Sequence, residues 1–396
     1  MKIDKDFFMK LFDLAYMQRW NDKLRPIPFI EMDKQAHKFM ITYLFAKLEE
    51  KVTSIDWITI IEGSIFEYLQ RMIVTDIKPT VFDKVRQNTQ KMQEFNDWVF
   101  LQLEPILRPL GDDFVKRYRE YFALPATDVC KKIIHAAHVY SSMWEFQILE
   151  KANPDGYDNF FIKSWFEQQM EKCYDLRGIQ EVALFTSYKK FVNLCGQLRF
   201  QIRWSNLMRS PKTSVLSHSV FVAFTSYLFT LLQGGSAKRR YNNTFTGLFH
   251  DLPEVLTRDI ISPVKNSVEG LGDLIKECEK EQMQAIVYPL LPENLQNEIR
   301  LYTETEFEDY IFDNGEMKVS STDEINSLYN DDKYDPRDGK LVKAADELSA
   351  LIEADIALRN GSIHDEFAFA KSKLKKKYIK IDKIGALDVG ELFNSF

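Results

Sequence analysis

In the stretch GLFHDLPEVLTRDIISPVK, residues 247–265, a histidine stands directly before an aspartate, and a glutamate and a second aspartate follow. On a helix, His250 and Glu254 lie four apart and share a face that Asp251 borders. Pro253 removes a backbone donor, so the helix is expected to kink or restart there, leaving His250 and Asp251 at a helix end. A His-Asp pair alone equally describes a hydrogen-bonded core pair. Two further residues change that balance. His218 in SVLSHSVFVA and Asp346 in LVKAADELSA each place one ligand-type side chain inside an apolar helix, where an unpaired polar group would cost about 1–3 kcal/mol. Four such groups on three helices can converge on one divalent cation, because helix bundles build metal sites from facing helices. Two imidazoles and two carboxylates suit a borderline ion (Mn, Co, Fe, Ni or Zn), and ligand type alone does not choose among them. Such an ion acidifies a bound water and polarises a phosphoryl oxygen. Glu254 and Asp259 are then candidates to orient that water, take its proton or protonate a leaving oxygen, with helix-surface acids or N-caps as their structural alternative.

The elements that must position these groups are helices. Apolar residues recur at helical spacing in FMITYLFAKLEE, WVFLQLEPILRPL, VFVAFTSYLFTLL and LVKAADELSALIEADIALRNG, while alternating strand patterns are scarce. QGGSAKRR, LPATD, LPEN and NPDGYDN read as turns. The expected fold class is therefore all-α. The polar, acidic stretch FDNGEMKVSSTDEINSLYNDDKYDPRDGK is expected to be a surface insertion. NPDGYDN and CYDLRGIQ interrupt the helical pattern and suggest a boundary between two halves near residues 155–185.

With 396 residues, 45% of them hydrophobic, the chain can bury a large core and is expected to form two domains or three. A formal net charge of −7 without long basic runs gives no broad electrostatic footprint for nucleic acid, although a local basic pocket for a small anion remains compatible. The N-terminal segment carries acids among its apolar residues and has no small-residue cleavage site, unlike a signal peptide. SVFVAFTSYLFTLLQ is too short and hydroxyl-rich to span a bilayer and reads as a buried helix. Four cysteines without CxxC pairing fit a reducing, cytoplasmic setting.

The ordered set His218, His250-Asp251 and Asp346 resembles the H…HD…D signature of the HD-domain metal-dependent phosphohydrolases. The chain is similar in particular to bacterial HD-domain 5'-deoxynucleotidases, whose pattern opens with an Arg-Trp pair and runs through a serine-histidine helix, an HD…EVLTGD…PVK segment and LVKxAD. Here the matching segments are RWSNLMRS at 203–210, SHS at 217–219, HDLPEVLTRDIISPVK at 250–265 and LVKAADELSALIEA at 341–354. The resemblance covers about residues 185–375. It implies a nucleotide or other small phosphate ester as substrate, one divalent metal ion, and catalytic carboxylates at Glu254 and Asp259. Other activities on the same metal shell are a phosphodiesterase or triphosphohydrolase reaction, and a third reading is a nucleotide-binding scaffold with little turnover. A guanidinium can grip a phosphate while an indole packs against sugar or base; an Arg-Trp dipeptide is otherwise a salt bridge beside a core aromatic, and the resemblance favours the substrate-binding role for Arg203 and Trp204. Lys265 and Arg209 could add positive potential. Arg258 stands where the family usually has glycine, which puts the geometry of the Asp259 turn in question.

The first half carries a faint repeat of the second. QRWNDKLRPIPFI at 18–30 echoes IRWSNLMRSPKTS at 202–214, and the following helix is expected to place His37 where His218 stands. FEYLQRMIVTDI at 66–77 aligns with FHDLPEVLTRDI at 249–260, so Glu67 and Tyr68 replace His250 and Asp251, and Arg71 replaces Glu254. IIHAAHVYSSMWE at 133–145 resembles LVKAADELSALIE, with His138 at the position of Asp346. The expectation is two tandem HD-domain-like helical bundles: residues 1–175, with the signature lost, and residues 185–396, with the metal site. Because single-domain members of the family act as homodimers, the tandem chain is expected to form an intrachain pseudo-dimer, with higher oligomers compatible. His37, Glu67 and His138 could alternatively hold a second, altered metal.

Overall fold

The computed structural model describes residues 3–75, 77–260 and 268–396 and is all-α apart from short antiparallel ribbons among these residues. The chain divides into two compact units, Met1–Gln180 and Glu181–Phe396.

In the first unit, a two-residue ribbon pairs β1 (Gln18–Arg19) with β2 (Phe29–Ile30), in the register Gln18↔Ile30 and Arg19↔Phe29. It leads directly into α1 (Glu31–Glu49), which packs mainly on α3 (Val129–Ala152), with α2 (Trp57–Val74) beside them. Asp56 and Asp128 cap α2 and α3 by accepting from backbone N–H groups of their first turns, which satisfies donors that the helix itself leaves unpaired.

The second unit is built on α4 (Val215–Leu232), packed against α5 (Ala237–Phe249) and α7 (Gly339–Arg359), with the short α6 (Glu254–Thr257) following α5. The sequence explains how so hydroxyl-rich a helix as α4 is buried. Ser214 caps it by accepting from Ser217 N, and Ser219 and Thr230 donate to the carbonyls of Val215 and Ser226 one turn back, so these hydroxyls enter the core already paired. Helix α4 is long and apolar enough to cross a membrane, but 89% of that stretch is buried inside the protein. Helix α5 approaches it closely at Gly247, where a Cβ would meet the Ala223 backbone at 3.0 Å.

The acidic stretch expected to be a surface insertion is an ordered part of the second unit. It forms a hairpin of β3 (Tyr310–Asp313) and β4 (Glu316–Val319), followed by a helix at Thr322–Leu328. Asn314 and Gly315 turn the hairpin with φ of 52° and 83°, the left-handed pair that a two-residue turn demands. The segment ends in the core: Arg337 and Asp338 are fully buried, Asp338 accepting from Arg239 Nε at 2.6 Å and Arg337 donating to the carbonyl of Leu301. The hairpin itself is on the surface as expected, β4 being exposed throughout, and only the end of the stretch carries its charges inside as pairs.

Candidate metal and phosphate site

Three helices of the second unit deliver the ligand-type residues. His218 lies in the first turn of α4, His250 is the residue that closes α5, Asp251 follows it, and Asp346 lies within α7. Pro253 does restart the helix, since it stands immediately before α6. The Nε2 of His218 lies 3.1 Å from Asp346 Oδ1 and 3.4 Å from Asp251 Oδ2; the Nε2 of His250 lies 3.3 Å from Asp251 Oδ2 and 4.0 Å from Asp346 Oδ1. One ligand atom from each of His218, His250 and Asp346 falls within a sphere of 4.8 Å mutual distance.

The donor set fits a cation. His250 Nδ1 lies 2.9 Å from the carbonyl of Gly247, which must accept a proton from it, and His218 Nδ1 lies 3.0 Å from Ser349 Oγ. This orients each ring with its other nitrogen toward the carboxylates. Both Nε2 atoms are buried and make no directed hydrogen bond. Two buried lone pairs aimed at the edges of two carboxylates, without N–H···O geometry, are costly as an apolar-core arrangement and suit metal ligation supported by a second hydrogen-bonded ring nitrogen. Burial, and then the nearby Arg203, push His218 below its ordinary range, favouring the neutral imidazole a metal needs. Asp346 is held well below the usual carboxylate range; burial opposes its charge, but Lys343, at 2.7 Å, and the two histidines overcome that.

A second network adjoins the first. Arg203 places NH1 3.8 Å from Asp251 Oδ2 and donates from Nε to Glu353 Oε2 at 3.2 Å; Trp204 Nε1 donates to the same oxygen at 2.8 Å. Thr213 donates its hydroxyl to Glu353 Oε1, and Arg209 NH2 lies 3.5 Å from that oxygen. Glu353 is fully buried. Burial disfavours the charge on Arg203, but Glu353, Asp251 and Asp259 hold it on. Asp259 is raised above the usual carboxylate range by burial, against the pull of Arg203 and with repulsion from Asp251, so it shares the field of the same site. Glu254 is buried at the start of α6, and its backbone carbonyl accepts from Gln201 Nε2 at 2.7 Å. Arg258 adopts φ 67° and ψ 161°, a region essentially reserved for glycine, which is the physical meaning of the glycine usual at this place. Lys265 lies outside the described residues.

Three contributors were not singled out from the sequence. Glu353 and Ser349 stand seven and three residues after Asp346, on the same face of α7, a spacing visible in LVKAADELSALIE. Lys343 stands three before it and also lies over the ring of Phe307 at 4.1 Å, a tertiary contact with no local signal.

Residues 195–375 match the family model described as HD domain. Over 185 residues, 46% of this chain and 78% of the relative, the chain is 27% identical to a protein of Pectobacterium atrosepticum named 5'-deoxynucleotidase. Over 189 residues it is 26% identical to proteins of the same name from Yersinia pestis and Yersinia pseudotuberculosis, covering 46% of this chain and 79% of each relative. Residues 195–375 thus carry an HD domain. The matched residues lie within the second unit, and His218, His250, Asp251 and Asp346 are among them.

The first unit has no matching cluster of three metal-ligand side chains among the described residues. His37 does not occupy the place of His218. The ribbon register Gln18↔Ile30 parallels the bridge Ile202↔Ser214, and α1 starts at Glu31 where α4 starts at Val215; counted from these helix starts, Lys34 is the residue corresponding to His218. His37 is one turn further on, packed edge-on against Trp144 at 4.9 Å.

Proposed function

We propose that the second unit is a metal-dependent phosphohydrolase that removes the 5'-phosphate of nucleoside monophosphates, deoxynucleotides among them. The observation that carries this reading is the pair of buried imidazole Nε2 atoms turned toward Asp251 and Asp346 beside a charged Arg203. His218, His250, Asp251 and Asp346 would hold one divalent ion. Bound there, the ion supplies Lewis acidity for activating water and polarising a phosphoryl oxygen.

The protein's own groups do the rest. Arg203, 13% exposed and fixed through Nε by Glu353, presents its other nitrogens at the edge of the site, where a guanidinium fits two phosphate oxygens. Trp204, clamped by the same carboxylate, offers an apolar face to a sugar or base. Asp259 keeps its proton to higher pH than an ordinary aspartate, which suits it to protonate a leaving oxygen. Glu254 is the remaining acid for moving the proton of the attacking water. Lys265 is proposed as a further positive charge toward the phosphate. The 5'-deoxynucleotidase names of the relatives support the substrate class.

The test is a screen of metal-reconstituted protein against nucleoside mono-, di- and triphosphates and cyclic dinucleotides, with released phosphate and product both measured. Orthophosphate from monophosphates alone is the expected result. Tripolyphosphate release or opening of a cyclic phosphodiester would replace this reading by another activity, and binding without turnover would make the unit a scaffold. The first unit is proposed to be a degenerate copy of the same bundle.

A further inference from the structure

The first unit keeps one half of the site and replaces the other. Arg19 donates from Nε to Glu145 Oε2 at 2.9 Å and Trp20 donates from Nε1 to the same oxygen at 2.8 Å, the arrangement that Arg203 and Trp204 make with Glu353. Trp20 and Trp204 share the same left-handed backbone, φ 56° in each. Arg25 donates to the carbonyl of Arg19 at 2.8 Å as Arg209 does to that of Arg203 at 3.4 Å. The Arg-Trp-Glu arrangement is thus kept, down to its backbone conformation, with the difference that Arg19 also donates from NH1 to Glu31 Oε2 at 2.6 Å, where the helix of the second unit starts with Val215.

The metal half is replaced by ammonium groups. Lys34, corresponding to His218, places Nζ 2.5 Å from Nδ1 of His138, the residue aligned with Asp346. Lys38, one turn on, pairs with Glu67, the residue aligned with His250, at 2.5 Å. The excess of carboxylates over cations in the second unit is missing from the first. In the second unit Asp251, Asp259, Asp346 and Glu353 outnumber Arg203, Arg209 and Lys343, a field that attracts a cation. In the first, Arg19, Lys38 and Arg71 are matched by Glu31, Glu67 and Glu145, which pair with them at 3.3 Å or less, and Lys34 is a further basic group beside them. Lys34 is fully buried, and its one hydrogen-bond partner among the described residues is an imidazole, not a carboxylate. A buried cation without a counter-charge is strongly unfavourable. Burial drives Lys34 well below the ordinary lysine range, with Lys38 and Arg19 adding to it against Glu31.

From this geometry we infer that the first unit binds a phosphate dianion, free or as a nucleoside monophosphate, at the edge formed by Arg19 and His138 with Lys34 behind it, without a metal and without hydrolysing it. The inference rests on the proposed function of the second unit for its template. Arg19 is 12% exposed and Arg71 19%, close to the 13% of Arg203 and 17% of Asp346, so the same edge is open to a ligand in both units. Turnover is absent because no cluster of three metal-ligand side chains stands beside the bound phosphate among the described residues.

The experiment uses the full chain carrying Asp346→Ala, washed with chelator, and titrates it calorimetrically with inorganic phosphate and with a nucleoside 5'-monophosphate. The expected result is one anion per chain, weakened at least tenfold by adding Lys34→Met or Lys34→Gln. Lys34→Met removes a buried basic group without a carboxylate partner and should fold at least as stably as its parent, seen as an equal or higher melting temperature. Tighter binding of the nucleotide than of phosphate identifies the nucleotide as the ligand, with Trp20 contacting its nucleoside; equal binding identifies phosphate alone. Absence of binding, binding lost with Arg203→Ala but kept in Lys34→Met, or a divalent ion retained in Asp346→Ala and lost in His138→Ala overturns the inference. Hydrolysis by the unmutated chain is scored separately, so failure of the proposed function and failure of this site give different results.

Discussion

Replacing Glu353 by glutamine tests whether one buried carboxylate organises the substrate side of the second unit. The two side chains have the same shape, so the change removes charge and one acceptor rather than volume. Burial raises the proton affinity of Glu353, but Arg203 and Arg209, with the hydroxyl of Thr213, more than reverse this and hold the carboxyl at about 2, against an ordinary 4.5. A depression of that size corresponds to about 3 kcal/mol of interaction with the charged form, at roughly 1.4 kcal/mol per unit. The figure agrees with the roughly 3–5 kcal/mol that breaking a buried pair costs when the partner stays charged. Because the folded value is the lower one, this stabilisation is complete above about pH 4.5 and is lost as pH falls toward 2.

Glutamine should therefore lower stability by about 3 kcal/mol near neutrality and remove part of the acid sensitivity of the parent between pH 4.5 and 2. Its amide must face either Arg203 and Trp204 or Thr213 and Arg209, and Thr213 can turn to accept from it, so the oxygen stays with Arg203 and Trp204 and the fold survives. Urea unfolding followed by helical circular dichroism, repeated from pH 7 down to pH 3, reads both effects. KM should rise more than kcat falls, since Arg203 keeps a hydrogen bond but loses the charge that holds it in place, while the metal ligands do not change. A glutamine variant within about 0.5 kcal/mol of the parent, the ordinary scatter of surface substitutions, with an unchanged acid slope, would refute this account of Glu353.

Alanine at His218, His250, Asp251 or Asp346 should lower bound metal and abolish phosphate release while leaving the helical spectrum intact; full metal by elemental analysis in Asp346→Ala would remove that residue from the shell. Glu254→Ala should keep metal and nucleotide binding but lose roughly 10²–10⁴-fold in turnover, the range for a general acid or base, and parental turnover would exclude it from proton transfer. Arg258→Gly relieves a glycine-type backbone conformation, which costs about 1–3 kcal/mol for other residues, so its unfolding midpoint in urea should rise; a fall would show that the Arg258 side chain contributes more than the strain.

Much of the second unit was legible because its signals are local. His218, His250-Asp251 and Asp346 stand out as polar residues inside apolar helical periods, and Pro253 marks the restart of the chain at α6. What stayed hidden depends on distance. Nothing in the local composition says that Asp338 meets Arg239 or that Arg337 serves the carbonyls of a distant helix, so the buried end of an otherwise exposed acidic stretch could not be read from it. Its Asn-Gly turn was a local signal for a hairpin, outweighed by the charged residues around it. Glu353 was hidden differently: its spacing from Asp346 was available, but an acid seven residues past a ligand acquires meaning only when Arg203 and Trp204 arrive from 150 residues away in sequence.

The misplacement of His37 follows from the same limit. Reading by residue type aligns histidine with histidine, but the backbone aligns helix starts, and the ribbons preceding α1 and α4 fix those starts to the residue. A slip of three residues moves a side chain by nearly one full turn, about 300° of rotation and 4.5 Å of rise, so it keeps roughly the right face at the wrong height. His37 therefore passes a periodicity test and still misses the site, while Lys34 reaches His138. The physical constraint at that height is charge: on the proposed alignment His138 stands for Asp346 and Glu67 for His250, so the remaining donors no longer make an anionic cage, and a lysine held to an imidazole is compatible where a divalent ion is not.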